Sequence, residues 1–128
     1  MSVEKREVGG VLIVHPTTTR VTAVVGAEEL REALESAGKE GHLAIAVDLA
    51  GVEYADSTMI GLLIGAFKTL TQNRGLICLF NVAPELHEFF RQTVLDRLIE
   101  ICKDEQTALE LFEGRPKSKR KGLRGLFS

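Results

Sequence analysis

Apolar residues in this chain come in short blocks separated by glycine, proline and charged positions, and the spacing inside each block predicts an element. The run at 11–14, Val-Leu-Ile-Val, is short and β-branched, so it predicts a strand ended by His15-Pro16 and three threonines. Residues 21–25, Val-Thr-Ala-Val-Val, predict a second strand broken by Gly26, and the two are expected to form a hairpin at one side of a sheet. From Ala27 the period changes. Leu30, Ala33, Leu34 and Ala37 recur at i, i+3, i+4 and i+7, the apolar face of a helix that Gly38 closes.

Residues 43–49 are almost continuously apolar, as expected of a central strand buried on both faces. After a loop at 50–55, Asp56-Ser57 supplies N-cap chemistry for a helix of about four turns running to Asn73, with Gly75 able to stop it. Ile60, Leu63, Ile64 and Phe67 form its expected buried stripe. Residues 76–80 predict another strand. Pro84 opens a short helix in which Leu86, Phe89 and Phe90 share a face. A turn at 94–97, a strand near 99–102 and a helix at 104–113 with Leu111 and Phe112 inward complete the body. Strands and helices alternate after residue 40, which predicts a single α/β domain with a mixed, largely parallel sheet of about five strands and about four helices.

Composition narrows the class. The 128 residues are enough for one core, and 45% hydrophobic with 27% charged residues is ordinary globular usage. The longest apolar stretch, 59–67, is about half of the roughly 20 residues a membrane-spanning helix needs. The charged opening, Met-Ser-Val-Glu-Lys-Arg-Glu, carries no secretory pattern, so a cytoplasmic location is expected. Cys78 and Cys102 lie far apart in apolar runs and read as buried thiols. His15, His42 and His87 lack metal-ligand spacing, and no metal or cofactor is expected.

Charge is uneven along the chain. Arg115, Lys117, Lys119, Arg120, Lys121 and Arg124 give the last fourteen residues six positive charges and no acid, whereas the remainder holds ten basic against eighteen acidic residues. Residues 1–113 are therefore read as the domain and 114–128 as a basic, flexible tail. With Leu123, Leu126 and Phe127 interleaved, the tail has three readings: a solvated extension, a contact for an acidic protein, or a contact for an anionic membrane surface through Lys117, Lys119, Arg120, Lys121 and Arg124. No specific nucleic-acid site is visible.

The stretch at 47–65, Val-Asp-Leu-Ala-Gly-Val-Glu-Tyr-Ala-Asp-Ser-Thr-Met-Ile-Gly-Leu-Leu-Ile-Gly, resembles the central motif of STAS domains, where a strand ending in Asp-Leu-small-Gly-Val leads to Asp-Ser-Ser/Thr-Gly at a helix start. Asn81-Val-Ala-Pro-Glu, Phe89-Phe90 and Leu95-Asp-Arg-Leu98 resemble later parts of the same family, so the likeness covers roughly residues 8–113. Among its members are bacterial anti-sigma factor antagonists, in which the serine after the motif's aspartate is phosphorylated by a partner that is both kinase and anti-sigma factor. The resemblance implies a partner switch with Ser57 as the phosphoacceptor, Thr58 as second choice, and a docking surface of Tyr54, Asp56, Ser57, Thr58 and Met59. The implied protein partner is an anti-sigma factor with kinase activity.

Physical chemistry supports a modification there. A phosphate at a helix start faces the positive end of the helix dipole, so it leaves the fold intact while adding about two negative charges to the surface. Asp-Ser-Thr alone also reads as an ordinary helix start, and Asp56 can cap, orient Ser57 or contact the kinase. The chain departs from the family pattern at Met59, where glycine is common and where the methionine is expected beside the phosphoacceptor, and at Ala23, where many members carry an aspartate facing the kinase. Gly61 and Gly65 read as close packing of this helix on the sheet. A second reading is a STAS-type interaction subunit of a transporter or signalling assembly, not phosphorylated and near a membrane through its tail. No P-loop, Gly-x-Ser-x-Gly or nucleophilic cysteine signature is present, so the chain is read as a binding module and not an enzyme.

Overall fold

Two glycines set the first turn. In the computed structural model, which describes residues 2–118, β1 (Val3–Val8) and β2 (Val11–Pro16) form an antiparallel hairpin joined by Gly9 and Gly10, both at positive φ (58° and 85°). Such values suit a two-residue turn that follows the twist of the strands. The hairpin expected between 11–14 and 21–25 is therefore displaced toward the N-terminus. β1 was hidden because its four inner residues, Glu4 to Glu7, are all charged, which is how an outer strand is kept from pairing with other chains.

The expected strand at 21–25 shrinks to β3 (Arg20–Val21). Beyond it the chain turns. Thr22 donates its backbone N–H to the Val25 carbonyl (2.7 Å), and its Oγ1 accepts from the N–H groups of Val24 and Val25 (3.3 and 3.1 Å). A hydroxyl that satisfies two backbone donors offers the segment an alternative to a ladder, and the apolar alternation alone could not reveal it.

The rest follows the expected alternation: α1 (Ala27–Lys39), β4 (Ala44–Asp48), β5 (Tyr54–Ala55), α2 (Ser57–Gln72), β6 (Leu76–Phe80), α3 (Pro84–Arg91), α4 (Leu95–Leu98), β7 (Glu100–Cys102) and α5 (Glu105–Leu111). The main sheet has the order β1-β2-β4-β6-β7, parallel throughout except for the opening hairpin, and β3 pairs β5 in a separate short parallel ladder. All five residues of β4 are buried, with Ile45 and Val47 in one apolar cluster and Ala44 and Ala46 in the other. The first cluster holds the inner faces of α1 to α4 and the second that of α5. Small alanines on the α5 side let Phe80, Phe112 and the buried thiols of Cys78 and Cys102 fill the gap. Burial pushes the pKa of both thiols up, so they act as small hydrophobes.

Two further expectations change. Gly61 and Gly65 do not press against the sheet: both are exposed, and a Cβ at either would meet no atom within 4 Å. Residues 114–118, expected to belong to a free tail, stay on the domain. The Leu43 N–H donates to the Lys117 carbonyl (3.0 Å), and Ser118 bridges His42 in antiparallel fashion. Of the five residues singled out for anionic surfaces only Lys117 is described; Lys119, Arg120, Lys121 and Arg124 lie outside the described residues.

Candidate functional site

The loop from β4 to α2 is stitched to the segment before α1. Glu53 and Tyr54 both donate backbone N–H groups to the Thr19 carbonyl (2.7 and 3.2 Å), β5 pairs β3 with Tyr54 opposite Arg20, and the Asp56 N–H donates to the Val21 carbonyl (3.3 Å). Val52 and Ala55 anchor the loop in the core, which leaves Glu53 and Tyr54 outward.

Asp56 is the N-cap of α2 in extended conformation. Its Oδ1 accepts from the Thr58 N–H (2.9 Å), the ordinary capping bond. Its Oδ2 accepts from the Ala23 N–H (3.1 Å), thirty-three residues away in sequence. The Ala23 bond is the main reason the carboxyl lies below its ordinary value, with the Thr58 bonds adding to it and burial opposing. Asp56 thus clamps two surface turns together through its two carboxylate oxygens, and both bonds favour its charged form.

Ser57 stands exposed at the first position of α2, and Thr58 is exposed beside it. Met59 does not join them. It is fully buried, pointing into the core with Ile60 and Leu63, because the first turn of α2 already crosses toward the sheet at that position. The expected place for Met59 on the docking surface is corrected accordingly.

The sequence did not single out the turn that Asp56 holds. Val24 is 92% exposed and Val25 42%, and with Tyr54 at 51% they make three of the four large hydrophobic residues exposed among the described residues. Thr22 and Asp56 fix this turn from either side, so its two valines are presented on a rigid support. The Arg20 guanidinium lies 5.2 Å from the centre of the Tyr54 ring, joining the two loops again on the surface. A local signal existed only in Gly26, at φ 83°, where a Cβ would come within 3.0 Å of the Arg20 carbonyl oxygen. Ala23, where the family pattern suggests an acid, contributes a backbone N–H to Asp56 instead of a carboxylate to a partner.

Among the described residues no three His, Cys, Asp or Glu side chains converge as a metal site, and no helix is long and apolar enough to cross a membrane.

Comparison with known proteins gives a consistent picture. The profile of the STAS domain matches residues 2–108. An anti-sigma-B factor antagonist of Listeria monocytogenes is 37% identical over 75 residues, which make up 59% of this chain and 66% of the relative, just under two thirds of its length. In fold, the chain is similar to an anti-sigma-factor antagonist (STAS) domain protein from Planctomyces limnophilus, with TM-score 0.76 and 21% identity over 85% of this chain and 95% of that one. It is also similar to the Bacillus cell fate determinant SpoIIAA in its phosphorylated form, with TM-score 0.65 and 16% identity over 85% of this chain and 98% of that one.

Proposed function

Because the chain belongs to the STAS domain family, we propose that it is an anti-sigma factor antagonist, a non-enzymatic module that binds an anti-sigma factor with kinase activity and is released by phosphorylation of Ser57. The observation that carries this reading is the position of Ser57, exposed at the head of α2 and next to the Asp56 clamp. A hydroxyl there is open to a kinase, and a phosphate added to it meets the positive end of a sixteen-residue helix. Phosphorylation would then change the docking surface and leave the core alone. Thr58 is the second acceptor. Tyr54 and Asp56 belong to the same surface, and Val24 and Val25 extend it.

Support also comes from the likeness to curated anti-sigma-B factor antagonists and from a neighbour of the same fold recorded in a phosphorylated form. The test is incubation of the purified protein with its cognate anti-sigma kinase and ATP, read by intact mass and peptide mapping. One phosphate is expected on Ser57 and none on a Ser57→Ala variant. Absence of phosphate from residues 57 and 58 would sink the switch.

A further inference from the structure

A groove of about 610 Å³ runs between α1 and α2, floored by Leu34, Ile45 and Leu70 and walled by Gly38, Gly61 and Gly65. The glycines hold it open: a Cβ at any of the three would meet nothing within 4 Å. Its size falls within the roughly 300–1,000 Å³ of small-molecule sites, and its floor is wholly aliphatic.

The two mouths of the groove differ in charge. α1 leads into β4 and α2 into β6, parallel neighbours in the sheet, so the helices run side by side in one direction. Arg31 and Gly61 therefore mark the upper mouth, and Lys39 and Leu70 the lower one. At the upper mouth Arg31 is held by Glu28 and, at 3.0 Å, by Glu35, so two carboxylates surround one guanidinium and the end is net negative. At the lower mouth Lys39 is uncommitted. Glu35, one turn away, is engaged by Arg31, the Glu40 carboxylate lies 3.7 Å from His42 Nε2, and among the described residues no acid pairs with the Lys39 ammonium.

This pattern selects one kind of occupant. An aliphatic floor asks for an alkyl chain, the uncommitted cation asks for a single anionic head, and the acids at the other mouth turn that head toward Lys39. Length agrees with a chain of modest size. The stretch of α1 from Arg31 to Lys39 rises about 12 Å, the span of a staggered chain of about ten carbons.

We propose that the groove between α1 and α2 binds a single-chain fatty carboxylate, with its alkyl chain along Leu34, Ile45 and Leu70 and its carboxylate at Lys39. The upper mouth, at Gly61, lies one helical turn below Ser57, and the site neither includes that serine nor requires a phosphate on it.

The test is titration of the full chain with decanoate, kept below its micelle concentration, followed in amide NMR spectra. Shifts should concentrate at Gly38, Gly61, Gly65 and Thr69 and leave Gly9 and α5 unmoved. Decanol, which has the same chain and no charge, should bind about two- to fivefold more weakly, the range of an exposed ion pair. Lys39→Glu should erase that preference while decanol still binds, which shows the groove intact. Gly65→Phe, whose ring fills the space the glycine leaves open, should abolish binding of both. Shifts scattered over the surface, a preference for decanoate that survives Lys39→Glu, or binding that survives Gly65→Phe overturns the proposal. So does an absence of groove shifts in a protein that sediments as a dimer and becomes monomeric with Gly65→Phe, which would assign the groove to a second copy of the chain.

Discussion

Asp56 accepts one backbone N–H from the helix it caps and one from the turn at 22–25, and both bonds favour its charged form. Its pKa in the folded protein therefore lies below the ordinary 3.8. A carboxyl with a depressed folded pKa stabilises the fold fully above the unfolded value and loses that contribution as pH falls through the folded one. Asp56→Asn keeps an acceptor oxygen and removes the charge. Urea midpoints of wild type and variant should differ above about pH 4 and draw together below it. A gap that stays constant down to pH 2 would show that titration of Asp56 is not its source. Met59 makes the opposite kind of contribution. It is fully buried, so Met59→Ala should cost about 2–5 kcal/mol in denaturant unfolding, while Thr58→Ala, one residue away and exposed, should move the midpoint far less. Sequence could place Asp56 and Ser57 at the start of α2 because capping is local chemistry. It misplaced Met59 because the turn of a helix that faces the sheet depends on where the sheet lies.

The junction between α2 and β6 separates what a sequence shows from what an element needs. Gly75 reads as the stop of α2, yet the residue with left-handed backbone there is Arg74, at φ 63°. Gly75 has another reason to be glycine: a Cβ on it would come within 2.8 Å of the Leu43 carbonyl oxygen and of Leu70 Cδ2. That oxygen is already the acceptor for the Leu76 N–H that starts β6 beside β4. Gly75→Ala should therefore destabilise by about 1–3 kcal/mol through forced displacement, whereas Arg74→Gly should be neutral or stabilising by up to about 1 kcal/mol. Thermal unfolding of the two variants checks the pair. A stable Gly75→Ala variant would mean that the strand start gives way easily. The same contrast holds at the N-terminus. β2 was legible from its apolar run, while β1 was not, since four charged residues become a strand only through the ladder that β2 and the Gly9-Gly10 turn provide.

At the scale of the molecule, the core and the proposed docking surface are separable. Ser57 and Thr58, the exposed groups at the head of α2, belong to neither apolar cluster. A negative charge at Ser57 should therefore act on binding and not on folding. Ser57→Asp places that charge at a helix start, where it stabilises by about 0.3–1 kcal/mol at low salt, so the Tm should hold or rise. Toward an anti-sigma kinase the same charge adds to those of Asp56 and the exposed Glu53, on a surface that also presents the large apolar groups Val24, Val25 and Tyr54 with Arg20 over the Tyr54 ring. Burying it there without a counter-charge should weaken the complex at least about tenfold, equivalent to 1.4 kcal/mol. Calorimetric titration of the cognate kinase with wild type, Ser57→Asp and Val24→Asp decides the matter. Loss of affinity in both variants at unchanged Tm is the signature of one continuous docking surface. A loss confined to Ser57→Asp would limit that surface to the head of α2 and leave the valine turn outside it.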